Sequence, residues 1–235
     1  MKKLILTTLL ASSVLMMVDK PANAEVVSND SSEVGIRFDT DGPNKPSPGP
    51  YKDNLALVWT PSQFDFGKQK ATANIATFSN TVIGDQYLVV NDDRDVEGET
   101  DGTTSAWKLT AAMSELVSKD TSGAELPAKL TFSLGDIQSY DIGDVDEETN
   151  DYYPNPVEGN LGELAANSDT RVNKTVSLEA GNTTAVELMG KTKANAVTGG
   201  FATKLSDTKL VVTSGKDAAG KNFKGQVNWS LDNTY

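Results

Sequence analysis

The sequence predicts an all-β fold: one β-sandwich-like domain with long loops, preceded by a signal peptide and a Pro-rich linker. Three observations carry this. The apolar runs are short, alternate with polar residues, and are separated by clusters of Gly, Asn, Asp and Thr. No stretch carries the long 3.6-residue apolar period of an amphipathic helix. The tripeptide Trp-x-Leu occurs twice, at 107–109 and 229–231, and uses two of the three tryptophans. Residues i and i+2 of a strand share a face. Each Trp therefore sits beside its Leu, with Lys108 or Ser230 turned the other way.

The elements follow in order. Lys2 and Lys3 precede an apolar stretch from Leu4 to Val18, and Ala22-Asn23-Ala24 is a small-residue cleavage site. This predicts a signal peptide over 1–24. The apolar run is shorter than the ~20 residues that span a bilayer, so the chain is not expected to be membrane-spanning. Residues 25–54 read as a disordered acidic linker. Gly42 to Pro50 holds four prolines in nine residues, which suits neither a strand ladder nor a helix. The ordered β domain is expected over 55–235.

Leu55 to Trp59 is the first apolar run. Phe64 and Phe66 flank Asp65 as a half-buried strand would place them. Tyr87 to Arg94 is the next candidate, then a polar loop from Asp95 to Thr104, then the first Trp-x-Leu strand. Further candidates are Lys129–Leu134, Thr175–Leu178, Ala185–Leu188, Leu210–Val212 and Gln226–Leu231. Ala111 to Val117 could form a turn or two of helix. Asp136 to Gly159 is a long acidic insertion with Tyr140, Tyr152 and Tyr153, and loops of that length are usually functional or disordered.

Composition excludes much chemistry. The 235 residues carry a net charge of −12 with no His and no Cys. Losing the leader removes three positive charges and one negative, so the exported chain is more acidic still. That disfavours nucleic acid and anionic lipid as partners. Without His or Cys there is no Ser-His-Asp triad, no Cys-His pair and no standard zinc site. No Walker loop or dinucleotide fingerprint is present. Asp144, Asp146 and Glu148 are spaced like the start of a calcium loop. Thr149 stands where that loop needs Gly, however, and Asn155 where it needs Glu. No metal and no cofactor are expected. Glycoside cleavage needs only two carboxylates, but no particular pair stands out among so many acids, and no catalysis is expected.

Leu88-Val89-Val90-Asn91-Asp92-Asp93-Arg94 precedes the first Trp-x-Leu, and Phe64-Asp65-Phe66-Gly67 precedes that. Together with the leader, the acidic Pro-bearing segment and the two Trp-x-Leu motifs, this order resembles the WxL-domain surface proteins of low-GC Gram-positive bacteria. The resemblance spans about Leu55 to Tyr235, and the 88–94 stretch is similar to the family's L-x-V-x-D-x-R strand. Asp95 stands where the family usually has Gly, so the turn there is not carried over. The resemblance implies a secreted β-rich domain held non-covalently on the cell wall through peptidoglycan. It also implies companion cell-surface proteins of the same gene cluster as partners. The chain ends at Asp232-Asn233-Thr234-Tyr235 without an apolar anchor, in keeping with that attachment. The alternative is an adhesin or surface-complex component that recognises a host or companion protein.

Six residues are the candidate site. Trp107, Leu109, Trp229 and Leu231 admit two readings, a sugar-stacking surface or a core. The core is preferred, because a Trp sharing a face with a Leu is more often buried. Asp92 and Arg94 lie on one face of an extended strand and are expected to form a structural ion pair, with a ligand-binding pair as the alternative. The leader makes one prediction. The exported protein begins at Glu25, read as intact mass from culture or wall fractions; a chain that keeps Met1 overturns it.

Overall fold

The computed structural model describes residues 24–34, 42–94, 106–120, 122–143, 145–146, 151–166, 168–192 and 197–234. Residues 1–23 of the expected signal peptide lie outside them, as do Asp144 and Glu148 of the calcium-loop pattern. Among the described residues the chain forms eighteen strands and no α-helix. The first are β1 (Ala24–Val34), β2 (Asn44–Pro46), β3 (Leu55–Pro61), β4 (Gln63–Phe64), β5 (Ala76–Ser79) and β6 (Gln86–Asp92). Then come β7 (Trp107–Met113), β8 (Val117–Ser118), β9 (Ala128–Leu134), β10 (Gln138–Tyr140), β11 (Val145–Asp146) and β12 (Asp151–Tyr152). The last are β13 (Leu161–Gly162), β14 (Thr170–Val172), β15 (Thr175–Glu179), β16 (Val186–Lys191), β17 (Gly199–Val212) and β18 (Phe223–Thr234).

Two sheets enclose one core, as the alternating runs predict. The first has the order β14-β16-β7-β18-β1-β4, with β8 also on β18. The second runs β13-β10-β17-β6-β3-β2. The long β17 also carries β5 on one side and β9 on the other, and β15 lies on β9. Inward residues of both sheets, among them Leu57, Leu88, Trp107, Leu130, Phe201 and Trp229, form the main cluster. The strict alternation of β9 and β15 reflects one buried face.

β6 is buried along its whole length. Leu88 and Val90 enter the main core. Tyr87 and Val89 face the other way, into a second cluster with Ala56, Val58, Tyr51, Tyr140 and Val157. The outer face of the second sheet is therefore apolar, and three chain segments cover it. Residues 140–142 and 157–161 supply Tyr140, Ile142 and Val157. Residues 42–54 supply Tyr51, whose hydroxyl donates to the Ser47 carbonyl, while Ser47 N–H donates to Val58 O at 2.8 Å.

This corrects the linker reading of 25–54. Pro46 lies in β2, an edge strand, where a missing N–H costs no ladder bond. The earlier part, read as polar linker, is β1, which pairs with β18 from Ala24↔Thr234 to Val34↔Gly225. The helix considered over 111–117 is also replaced. Ala111 to Met113 end β7, paired on both sides, and tertiary pairing overrides the helix propensity of alanine. Of the Phe64–Phe66 strand only Gln63–Phe64 pairs, parallel to β1, although both phenylalanines are buried.

β1 is held by polar bonds. The Asp30 carboxylate accepts from Thr60 Oγ1 at 2.6 Å, Ser47 Oγ at 3.0 Å and Lys45 Nζ at 2.9 Å. Asp30 thus ties the N-terminal strand to β2 and β3. Removing a shared acceptor strands its buried donors, at a cost of about 1–3 kcal/mol. Asp30→Ala should lower the urea midpoint of unfolding accordingly; an unchanged midpoint would show that β1 is not held this way.

Candidate functional site

The two Trp-x-Leu motifs lie on neighbouring antiparallel strands. β7 and β18 pair with Leu109 opposite Leu231, Trp229 opposite Ala111, and Trp107 opposite Asn233. Directly opposed residues share a face, so all four motif side chains point the same way. That way is inward: Leu109, Leu231 and Trp107 are fully buried and Trp229 is 1% exposed.

The two rings meet different surroundings. Trp229 tilts against Phe64 at 6.4 Å between centroids, and Phe64 stacks on Phe132 at 6.5 Å. Its indole N–H donates to Ser32 Oγ at 2.8 Å, and Ser32 donates on to the Pro61 carbonyl. Trp107 tilts against Phe201 at 5.4 Å. Its indole nitrogen finds no hydrogen-bond partner among the described residues.

Asp92 and Arg94 form the expected ion pair, and a third residue joins them. Arg94 reaches Asp92 through two bonds, Nε to Oδ1 at 2.7 Å and Nη2 to Oδ2 at 3.0 Å. Lys191 Nζ lies 3.0 Å from Asp92 Oδ2, donates to Val197 O at 2.7 Å and stands 5.8 Å from the Phe201 ring centroid. Arg94 also donates to Asn233 Oδ1 and to the Ala106 carbonyl. Burial pushes the Lys191 ammonium below the usual lysine range, and the Asp92 charge opposes this. Asp92 closes β6 of one sheet, while Lys191 and Asn233 stand on either side of Trp107 in the other. The cluster therefore clamps the sheets at the Trp107 end. No signal in the sequence singles out Lys191, because its place opposite Trp107 arises from strand pairing.

The reverse face of β7 and β18 is polar. Lys108 opposes Asp232, Thr110 opposes Ser230 and Ala112 opposes Asn228. Lys108 Nζ stands 4.0 Å from Asp232 Oδ2, and Thr110 Oγ1 donates to Ser230 O at 3.3 Å. Burial raises the Asp232 carboxyl above its usual range, with Lys108 opposing. A shallow open depression of about 600 Å³ lies here, lined by Asp30, Thr110, Ala112, Ala185, Asn228, Trp229 and Ser230. Thr110, Asn228 and Ser230 can donate and accept hydrogen bonds there. Among the described residues no cluster of acids has metal-binding spacing, and no helix is long and apolar enough to cross a membrane.

The chain matches the family model described as "WxL domain surface cell wall-binding" over residues 20–234, and it belongs to that family. It is thus a cell-surface protein that associates with the cell wall. Neither the curated proteins nor the solved structures compared with it contain a match.

The burial of both motif tryptophans makes a prediction. Truncating a core Trp to Ala costs about 3–5 kcal/mol, against a typical domain stability of about 5–15 kcal/mol. Trp107→Ala and Trp229→Ala should each lower the urea midpoint strongly, and wall binding should fall only with the folded fraction. Wild-type midpoints combined with lost wall binding would make these residues a contact surface instead.

Proposed function

We propose that the protein is a secreted module that attaches non-covalently to the peptidoglycan of a Gram-positive wall, without catalysis. In this reading the outer face of β7 and β18 meets the glycan, and the Trp-x-Leu residues act from behind it. One observation supports this assignment. The residues that alternate with the motifs, Thr110, Ser230, Ala112 and Asn228, line one open depression. An extended polymer needs an open trough rather than an enclosed pocket, and a sugar presents hydroxyl and amide groups that such side chains can match. Asp92 and Arg94 take a structural role in this reading, since their bonds are internal.

The second reading is recognition of a companion or host surface protein. Tyr153, on the acidic 136–159 insertion, is 62% exposed and favours that reading.

Co-sedimentation with purified, protein-free peptidoglycan separates them. The wild-type protein should pellet with it and leave the turbidity of the suspension unchanged. Ala112→Lys and Asn228→Lys, which fill the depression, should weaken binding by about ten-fold, equivalent to roughly 1.4 kcal/mol, at unchanged unfolding midpoint. Undiminished binding by both variants would move the site elsewhere. No binding by the wild type would leave the protein-recognition reading.

A further inference from the structure

We infer that β5 is a self-association edge, through which two copies of this chain pair strand to strand. β5 bonds to β17 on one side, and among the described residues no strand bonds to the other. An open edge presents unpaired N–H and C=O groups and invites another strand. Chains usually block such edges with charge or proline. That is what the other open-edged strands of three or more described residues show here. β2 carries Lys45 and Pro46, β14 carries Arg171, and β15 carries Glu179, while β1 is flanked by β4 and lies against β3. β5 reads Ala-Thr-Phe-Ser. The whole stretch from Ala71 to Gly84 lacks a charged residue, in a chain that is 23% charged. Ile75 and Ile83, 71% and 92% exposed, flank the strand.

The hydrogen-bond parity shows which groups are on offer. Asn80 N–H donates to Thr208 O at 2.9 Å, in the same register that pairs Phe78 with Leu210 and Ala76 with Val212. Antiparallel pairs alternate between bonded and non-bonded types. Asn80, Phe78 and Ala76 therefore turn their backbone groups toward β17. Thr77 and Ser79 turn theirs to the open edge, and Ile75 precedes them in the same alternation. The other side of β17 agrees with this parity: Thr213 N–H donates to Pro127 O at 3.0 Å, in register with Val211↔Lys129.

The occupant that fits is a second copy. The outward residues 75, 77 and 79 are symmetric about Thr77. Antiparallel pairing centred there sets Thr77 against the partner copy's same strand position, and Ile75 against the position of Ser79. Every outward N–H then meets an outward C=O, and the contact has the two-fold symmetry of a closed dimer. A Thr–Thr cross-strand pair is itself favourable. Charge points to the same place. Two copies of net charge −12 repel over most of their surfaces, and this uncharged stretch is where contact brings no like charges together. The inference is independent of the glycan reading.

The test is sedimentation velocity of the purified chain from low to high micromolar concentration. The weight-average mass should climb from one chain toward two, and added salt should strengthen the association by screening the net charge. Thr77→Lys and Thr77→Pro should both stay at the mass of one chain while keeping the wild-type unfolding midpoint, because an edge strand tolerates Lys or Pro on its solvent side. The chain has no Cys, so Thr77→Cys provides a second measurement. Facing residues of a bonded pair lie about 5.5 Å apart, within disulfide reach. Oxidation should convert Thr77→Cys to a covalent dimer and leave the exposed-loop variant Ser122→Cys monomeric. A wild-type chain that remains one chain throughout overturns the inference. So does a dimer that persists undiminished in Thr77→Lys, or a Thr77→Cys that cross-links no better than Ser122→Cys.

Discussion

The pairing of Leu109 with Leu231 is the constraint on which the rest of the domain depends. It joins two strands far apart in sequence at the centre of the first sheet and turns both tryptophans inward. A slip of one residue would turn one of the two motifs to the wrong face. If β18 moved, Ser230 would be buried and Trp229 exposed; if β7 moved, Lys108 would be buried and Trp107 exposed. The register also decides what flanks each ring. Trp107 lies between Lys191 and Asn233, the residues that reach the Asp92 cluster. Trp229 lies opposite Asp30 of β1, the residue bonded to β2 and β3. One strand pairing thus sets up the polar link at each end of the sandwich.

The Asp92 cluster shows how a buried charge is made tolerable. Asp92 and Lys191 are both buried, and an isolated ion there would be costly. The carboxylate instead takes a two-bond contact from Arg94 and a third from Lys191. Such a cluster adds little net stability compared with an apolar replacement, while losing one member leaves an uncompensated charge at about 3–5 kcal/mol. Its contribution here is register. The carboxylate at the end of β6 can be satisfied only when β16 and β18 of the opposite sheet stand where they do. The apolar core is less selective, since Leu and Val contacts tolerate small slides that a fork of Arg94 bonds does not.

Strands with one buried face were legible in the sequence. β9, β15 and the two motif strands have the inward Leu, Phe, Val and Trp residues that their alternation predicts, and Arg94, two residues past the end of β6, pairs with Asp92. β1 was not legible, for a physical reason. Its core-side residues Asp30 and Ser32 are polar, and their partners are Thr60 and Ser47 for Asp30 and the Trp229 indole for Ser32. A strand stabilised through such bonds carries no apolar period. The covering segment 42–54 was missed likewise, because its prolines mark an absent ladder and not an absent contact: Tyr51 is buried without belonging to a strand. Lys191 could not be found at all, since a lysine at a strand end is normally solvated. The outer depression was half visible. The residues alternating with the motifs could be named, but their pairing across β7 and β18 required the fold.

On the proposed reading, a buried motif in a wall-binding domain presents no contradiction. A strand has two faces fixed by one backbone. The inner Trp and Leu residues determine where Thr110, Ser230 and Asn228 stand relative to each other, as a floor determines the objects resting on it. An open trough has no walls to hold a ligand in place, so its few hydrogen bonds must be held in geometry by packing beneath. The acidity of the chain argues in the same direction. With a net charge of −12 the protein gains nothing from attraction to anionic polymers, and Thr110, Ser230 and Asn228 are the neutral polar groups that line the depression beside Asp30. Recognition there would rest on directional bonds with weak salt dependence, and the precision of those bonds would come from the two tryptophans on the opposite side of the sheet.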